Sequence, residues 1–206
     1  MVGIKLYVEG GGLGKSLRTA CRQGFSELLT KAGLAAHMPR IVASGSRSEA
    51  YGDFCTALRN GERAMLLVDS EDPVLGQPPY QPWRHLWNRP GDHWRKPPGA
   101  TDAHCHLMVQ CMEAWFLADR QTLQAFFGQG FRDNALPAGG RNIETITKHD
   151  VYQSLANATG ECKTKAPYGK GEHSFKILAL IDPGMVTQAS GWANRFIAEI
   201  KQQMGC

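Results

Sequence analysis

The sequence predicts an α/β fold, with a central, mostly parallel sheet flanked by helices and a helical C-terminal part. Three observations carry this expectation. Apolar runs at residues 4–8, 39–43 and 64–68 alternate with two stretches of helical periodicity. That β-α-β-α-β order calls for parallel strands joined by right-handed crossovers. Residues 64–68 are apolar without alternation, as expected of a strand covered on both faces.

In chain order, residues 4–9 read as a first strand, closed by the glycine-rich turn Gly10-Gly11-Gly12-Leu13-Gly14. Leu17, Ala20, Cys21, Gly24, Phe25, Leu28, Leu29 and Ala32 then recur at helical steps, and Gly33 suits the helix end. A second strand is expected at 39–43. A helix at 46–60 follows, with Ser46 as N-cap and Glu49 three residues on, the arrangement of a capping box. The third strand is 64–68. Residues 73–99 hold seven prolines and three tryptophans, an inserted excursion with a short helix near 81–88. Residues 106–110 read as another strand, 111–127 as helix in one or two pieces, and 128–140 as loop. Three helices complete the chain, at 148–159, 172–181 and 189–204. The last has Trp192, Phe196, Ile200 and Met204 at steps of four, so one face is apolar.

A chain of 206 residues, 42% apolar and 20% charged, can bury a sizeable core. The expected division is one domain over 1–206, with a core at about 1–127 and a helical C-terminal part at about 141–206. A net charge of +4 without a long basic run is compatible with an anionic substrate but does not demand one. Residues 4–8 are too short for an export signal or a membrane span. The expected location is therefore cytoplasmic, with no membrane partner. The six cysteines (Cys21, Cys55, Cys105, Cys111, Cys162, Cys206) form no CxxC pair and read as reduced thiols.

The chemistry is expected at the strand ends. Glu9 ends the first strand and Asp69 follows the third, and in a parallel sheet those ends share the edge where ligands bind. Asp69 and Glu71 are two apart and would point the same way in extended chain, with Asp72 extending the cluster. Such carboxylates repel one another unless a hard cation sits between them, and Mg²⁺ or Mn²⁺ wants oxygen ligands of this kind. Taken singly, each acid could equally be a turn starter or a solvated group. The stretch Gly10-Gly11-Gly12-Leu13-Gly14-Lys15-Ser16 also suggests a nucleotide-binding P-loop, but Glu9 stands where that loop needs glycine. Glu113 opens a helix beside Trp115 and Phe116, a costly place for an acid unless it is paired or metal-bound. Lys170 and His173 flank the start of another helix, where a phosphate could be met.

A glutamate-glycine pair after the first strand and an acidic-x-acidic pair after a later hydrophobic strand resemble the Toprim domain of topoisomerases, primases and related nucleases. The usual pair there is Asp-x-Asp, whereas this chain has Asp69-Ser70-Glu71. Val8-Glu9-Gly10, Leu67-Val68-Asp69-Ser70-Glu71, the run from His106 to Asp119 that contains Met112-Glu113-Ala114-Trp115-Phe116-Leu117-Ala118, and Tyr168-Gly169-Lys170-Gly171-Glu172-His173-Ser174-Phe175 resemble the bacterial domain-of-unknown-function family numbered 4276. That family is described as Toprim-like. The resemblance implies a Toprim-like (Rossmann-like) fold and a nuclease working with an ATPase partner in antiphage defence.

The resulting expectation is metal-dependent phosphoryl transfer on nucleic acid, DNA or RNA. Glu9 would serve as general base or metal ligand, and Asp69 and Glu71 would bind the metal. Glu113 would complete the site, with Lys170 and His173 on substrate phosphate. Two alternatives remain open at this level. One is a non-enzymatic partner-binding or regulatory subunit, docking through the tryptophan-rich insertion. The other is a P-loop-like nucleotide binder.

Overall fold

A computed structural model describes residues 3–12, 14–74, 78–140 and 142–205. Leu13 of the glycine turn and the thiol of Cys206 lie outside the described residues. Four strands, β1 (Lys5–Glu9), β2 (Arg40–Gly45), β3 (Ala64–Asp69) and β4 (Cys105–Met108), form one parallel sheet in the order β2-β1-β3-β4. β1 passes through α1 (Lys15–Leu29) to β2, and β2 passes through α2 (Arg47–Arg59) back to β3 on the far side of β1. The winding therefore reverses between β1 and β3, the switch point at which open parallel sheets bind ligands.

The two crossover helices cover opposite faces, which is why β3 is buried at all six positions. Leu6, Val8, Met65, Leu67 and Met108 point to the core that contains Cys21, Phe25 and Leu28 of α1. Tyr7, Leu66, Val68 and Leu107 point to the core that contains Ala50, Phe54 and Ala57 of α2. At α2 the expected capping box is present: Ser46 Oγ accepts from Glu49 N at 3.2 Å, and Glu49 Oε2 accepts from Ser46 N at 2.7 Å.

The insertion contains α3 (Pro82–Asn88) and packs over the α2 face. Trp94 stacks on Tyr51 with ring centroids 4.6 Å apart, and Trp83 lies 5.9 Å from Phe54. Trp83 and Trp94 are buried, so two of the three tryptophans expected on a docking surface are core residues, and Trp87 is the exposed one. The segment Met112–Ala118 winds as a 3₁₀ helix and leads into α4 (Arg120–Phe127), so the helix expected at 111–127 is two pieces. Asp119 separates them, accepting from Thr122 N with one oxygen and from Asp182 N with the other.

The C-terminal part has four helices where periodicity predicts three: α5 (Lys148–Thr159), α6 (Lys170–Leu180), α7 (Pro183–Ala189) and α8 (Gly191–Met204). The added one, α7, starts on Pro183 at its first position and is capped by Asp182, whose Oδ1 accepts from Gly184 N. Ser190 caps α8, which moves the expected start from residue 189 to Gly191. α6 begins two residues before the expected 172, which makes Lys170 its first residue. α6 packs along α1, and Gly24 permits the approach: a Cβ there would sit 2.8 Å from the Phe175 carbonyl oxygen. Among the described residues no helix is long and apolar enough to cross a membrane, and Cys21, Cys55, Cys105, Cys111 and Cys162 are free thiols.

Candidate metal centre

β1 and β3 deliver the first two acids by register. Val8 pairs with Leu67, so the next residues, Glu9 and Val68–Asp69, meet at the C-terminal edge. Glu9 Oε2 accepts from Asp69 N at 3.0 Å and lies 3.5 Å from Arg47 Nε. Asp69 is 2% exposed; its Oδ1 accepts from Met112 N at 2.8 Å. Glu71 arrives differently from the expected extended chain. β3 ends at Asp69, and Glu71 has φ 65°, as does Gln110 at φ 64°. Ser70 Oγ accepts from Gln110 N at 2.7 Å and holds the two turns together. The turn, not strand alternation, swings Glu71 back toward the cluster. One carboxylate oxygen from each of Glu9, Asp69 and Glu71 lies within 4.8 Å of the other two. Asp72 leaves the group, pairing with Arg89 at 2.9 Å.

Burial sets the electrostatics. Removal from water raises the Glu9 carboxyl to about 7 against the opposing Asp69 N–H and the Arg47 charge. Burial, reinforced by the charges of Glu9 and Glu113, holds Asp69 well above the usual carboxylate range.

Glu113 is fully buried and closes one wall. Its Oε2 accepts from the Tyr152 hydroxyl at 2.9 Å. Its Oε1 lies 3.2 Å from the Tyr168 hydroxyl, 3.0 Å from Ser174 Oγ and 4.0 Å from Lys170 Nζ. Glu113 is thus held by hydroxyls rather than left open toward a metal. Lys148, the first residue of α5, places Nζ 2.5 Å from Glu71 Oε2. A cleft of about 270 Å³ lies over these groups, bordered by Glu9, Gly10, Asp69, Glu113, Lys170 and Ser174.

His173 does not reach the cleft. It is 2% exposed, packed against Phe126 and Phe127, and its Nδ1 accepts from Gly169 N at 3.0 Å. Burial lowers its pKa. The expectation that it meets substrate phosphate is corrected: His173 closes the N-terminal turn of α6 from within, while Lys170, with a side chain 58% exposed, faces the cleft. Gly10 has also spent its amide, donating to the Gly45 carbonyl at 2.8 Å and accepting from Gly45 N at 3.0 Å.

Arg47, Lys148, Tyr152 and Ser174 were not singled out by sequence reasoning. Arg47 had a faint signal, one residue after the Ser46 cap and so at a strand-to-helix junction of the same edge. Arg47 also clamps Asp92 through both terminal nitrogens, at 2.7 and 2.9 Å. Lys148 and Tyr152 carried no signal, because α5 reaches the site only through the tertiary fold.

The donor set is all oxygen, which suits Mg²⁺ or Mn²⁺ and not the sulfur and imidazole sites of zinc or copper. Asp69 adds a sharper observation. Among the described residues its Oδ2 has no hydrogen-bond partner, although the side chain is buried at the border of the cleft. These residues fit a hard divalent ion.

Residues 8–201 match a family model described as a domain of unknown function (DUF4276). No curated protein and no solved structure matches the chain.

Proposed function

The chain belongs to the DUF4276 family, and from that premise and the site's geometry we propose that it is a divalent-metal-dependent phosphoryl-transfer enzyme, a nuclease of Toprim type that hydrolyses phosphodiester bonds in nucleic acid. One observation carries this reading: three carboxylate oxygens within 4.8 Å of one another at the switch point of a parallel sheet, beside an exposed lysine. Clustered acids on a ligand-binding edge make sense around a cation, and an acidic site with a neighbouring ammonium suits a metal-bridged phosphate.

Glu9, Asp69 and Glu71 would hold Mg²⁺ or Mn²⁺. The ion, when bound, polarises the phosphate and lowers the pKa of a bound water. Glu9 would serve as metal ligand or general base; its carboxyl, raised to about 7 in the metal-free chain, releases its proton near neutral pH as the ion binds. Lys170 reaches the substrate phosphate from the start of α6. Glu113 positions Lys170 and Ser174. Work with an ATPase partner and a role in antiphage defence enter the proposal through the Toprim resemblance alone.

The test is cleavage of plasmid, single-stranded DNA and transfer RNA with Mn²⁺, with and without an ATPase partner. Activity present in the wild type, absent in EDTA and lost in Glu9→Gln and Asp69→Asn is the expected result. Equal inertness of all three proteins under every condition would reject the enzyme in favour of a partner-binding subunit.

A further inference from the structure

We propose that this centre takes one divalent ion and not two, because the ammonium groups of Lys148 and Lys170 occupy the places in which a second ion would be held. The inference rests on the metal-dependent reading above and deepens it.

Four carboxylates belong to the centre: Glu9, Asp69 and Glu113 border the cleft, and Glu71 joins Glu9 and Asp69 in the cluster. Two of them are already met by lysine. Glu71 Oε2 lies 2.5 Å from Lys148 Nζ, and Glu113 Oε1 lies 4.0 Å from Lys170 Nζ. Arg47 also touches the cluster, with Nε 3.5 Å from Glu9 Oε2, but it shares a network with Arg89, Asp92 and Asp72 that carries no net charge. It is paired with Asp92 at 2.7 Å; Arg89 meets Asp92 at 3.1 Å and Asp72 at 2.9 Å, so two arginines and two aspartates close on themselves. By formal charge, four carboxylates against two ammonium groups leave two negative charges. One divalent ion neutralises them. A second would leave excess positive charge beside two ammonium groups.

Ligand supply gives the same answer independently. A pair of ions about 4 Å apart needs carboxylates that bridge or face both. Glu113 cannot serve as one, since three hydroxyls, Tyr152, Tyr168 and Ser174, already lie at its oxygens within 3.2 Å. Glu71 offers only the oxygen that Lys148 leaves. The donors free to meet an ion are Asp69 Oδ2, unpartnered among the described residues on a buried side chain, the exposed part of Glu9, and the second oxygen of Glu71. The three residues form one group, one carboxylate oxygen of each lying within 4.8 Å of the other two. Lys148 is thus a positioning residue that turns Glu71 into a single-ion ligand. Lys170 is the cation left for substrate phosphate.

The experiment counts Mn²⁺ bound per chain by electron paramagnetic resonance and calorimetry on the full chain, without substrate or activity. The wild type is expected to bind one ion, and Asp69→Asn to lose it. Lys148→Met should uncover a second, weaker ion, while Lys148→Arg should keep the count at one. Circular dichroism on each variant verifies folding. Lys148 is partly exposed and its backbone contact to Gln110 does not depend on the side chain. Two ions of similar affinity in the wild type would overturn the single-ion inference and leave the metal reading standing. A count of one that is unchanged in folded Lys148→Met would overturn the role of Lys148. No Mn²⁺ bound to any form would reject the metal reading itself, and this inference with it.

Discussion

Asp69 concentrates the chemistry at the scale of single residues. Its burial and the neighbouring charges of Glu9 and Glu113 make its ionised form unfavourable until a cation arrives. Asp69→Asn keeps an oxygen to accept from Met112 N and removes the charge, so the metal-free protein should gain about 1 kcal/mol. The same variant should lose the melting-temperature increase that Mg²⁺ or Mn²⁺ gives the wild type. Unfolding of Asp69→Asn, with no effect of metal on the wild type, would make the acids structural. Glu9 adds a pH signature. Its pKa is raised from 4.5 to about 7, so the folded chain holds this proton more tightly than the unfolded chain does. Its contribution to stability is therefore complete below the unfolded value and disappears as pH climbs to the folded one. In EDTA, urea denaturation should show stability falling between pH 5 and 8 by up to about 3 kcal/mol. Glu9→Gln should flatten that fall. The residue identities of Glu9 and Asp69 were readable in advance, because each follows an apolar run. Glu71 was readable as an acid but not as a direction, because a left-handed turn sets where its carboxylate points.

At the scale of elements, α1 and α6 place Lys170 and Ser174 over the sheet edge, and Gly24 sets their separation. Alanine at Gly24 would gain about 1 kcal/mol of helix propensity. Its Cβ would meet the backbone oxygen of Phe175 at 2.8 Å, and overpacking against backbone costs about 1–3 kcal/mol. Gly24→Ala is expected to destabilise the protein by about 1 kcal/mol through displacement of α6. Gly52, in the middle of α2, has nothing within 4 Å of its Cβ position. Gly52→Ala should stabilise by about 0.5–1 kcal/mol with metal binding unchanged. Chemical denaturation of both variants checks the pair, and a stabilised Gly24→Ala would refute the packing argument. Elements with local signals were legible: α2 by its capping box, β3 by an unbroken apolar run, α8 by apolar residues at steps of four. α7 was not, since Pro183 reads equally as a helix start or a break until Asp182 is seen to cap it.

For the whole molecule, the fold brings the ends of the first and third strands and the start of α6 to one cleft, with the start of α5 joined to it through Lys148 and Glu71. That assembly predicts the response to ligands. At a metal concentration about 100 times the dissociation constant, binding should add about 2.7 kcal/mol, a rise of roughly 5–10 °C in melting temperature for a chain this size. The same geometry argues against a tightly bound nucleotide. Gly10 has paired its amide with Gly45, and Glu9 faces the space where phosphates would lie. Calorimetry with ATP and Mg²⁺ should give nothing tighter than about millimolar, near 4 kcal/mol. Micromolar affinity lost in Lys15→Ala would restore the P-loop reading.

By itself the sequence determined the α/β class, the parallel order of its first three strands and the presence of Glu9 and Asp69 on one edge. These follow from local causes: apolar periodicity, caps, and the rule that parallel strands end on the same side. The tertiary structure alone decided which charges meet. Lys148 reaches Glu71 across 77 positions of chain, and Tyr152 reaches Glu113 across 39. His173, three residues from Lys170, turns inward while Lys170 faces the cleft. No periodicity encodes such pairings. They depend on where helices of the C-terminal part come to rest against the sheet, and that is set by the packing of whole faces rather than by any residue's neighbours in sequence.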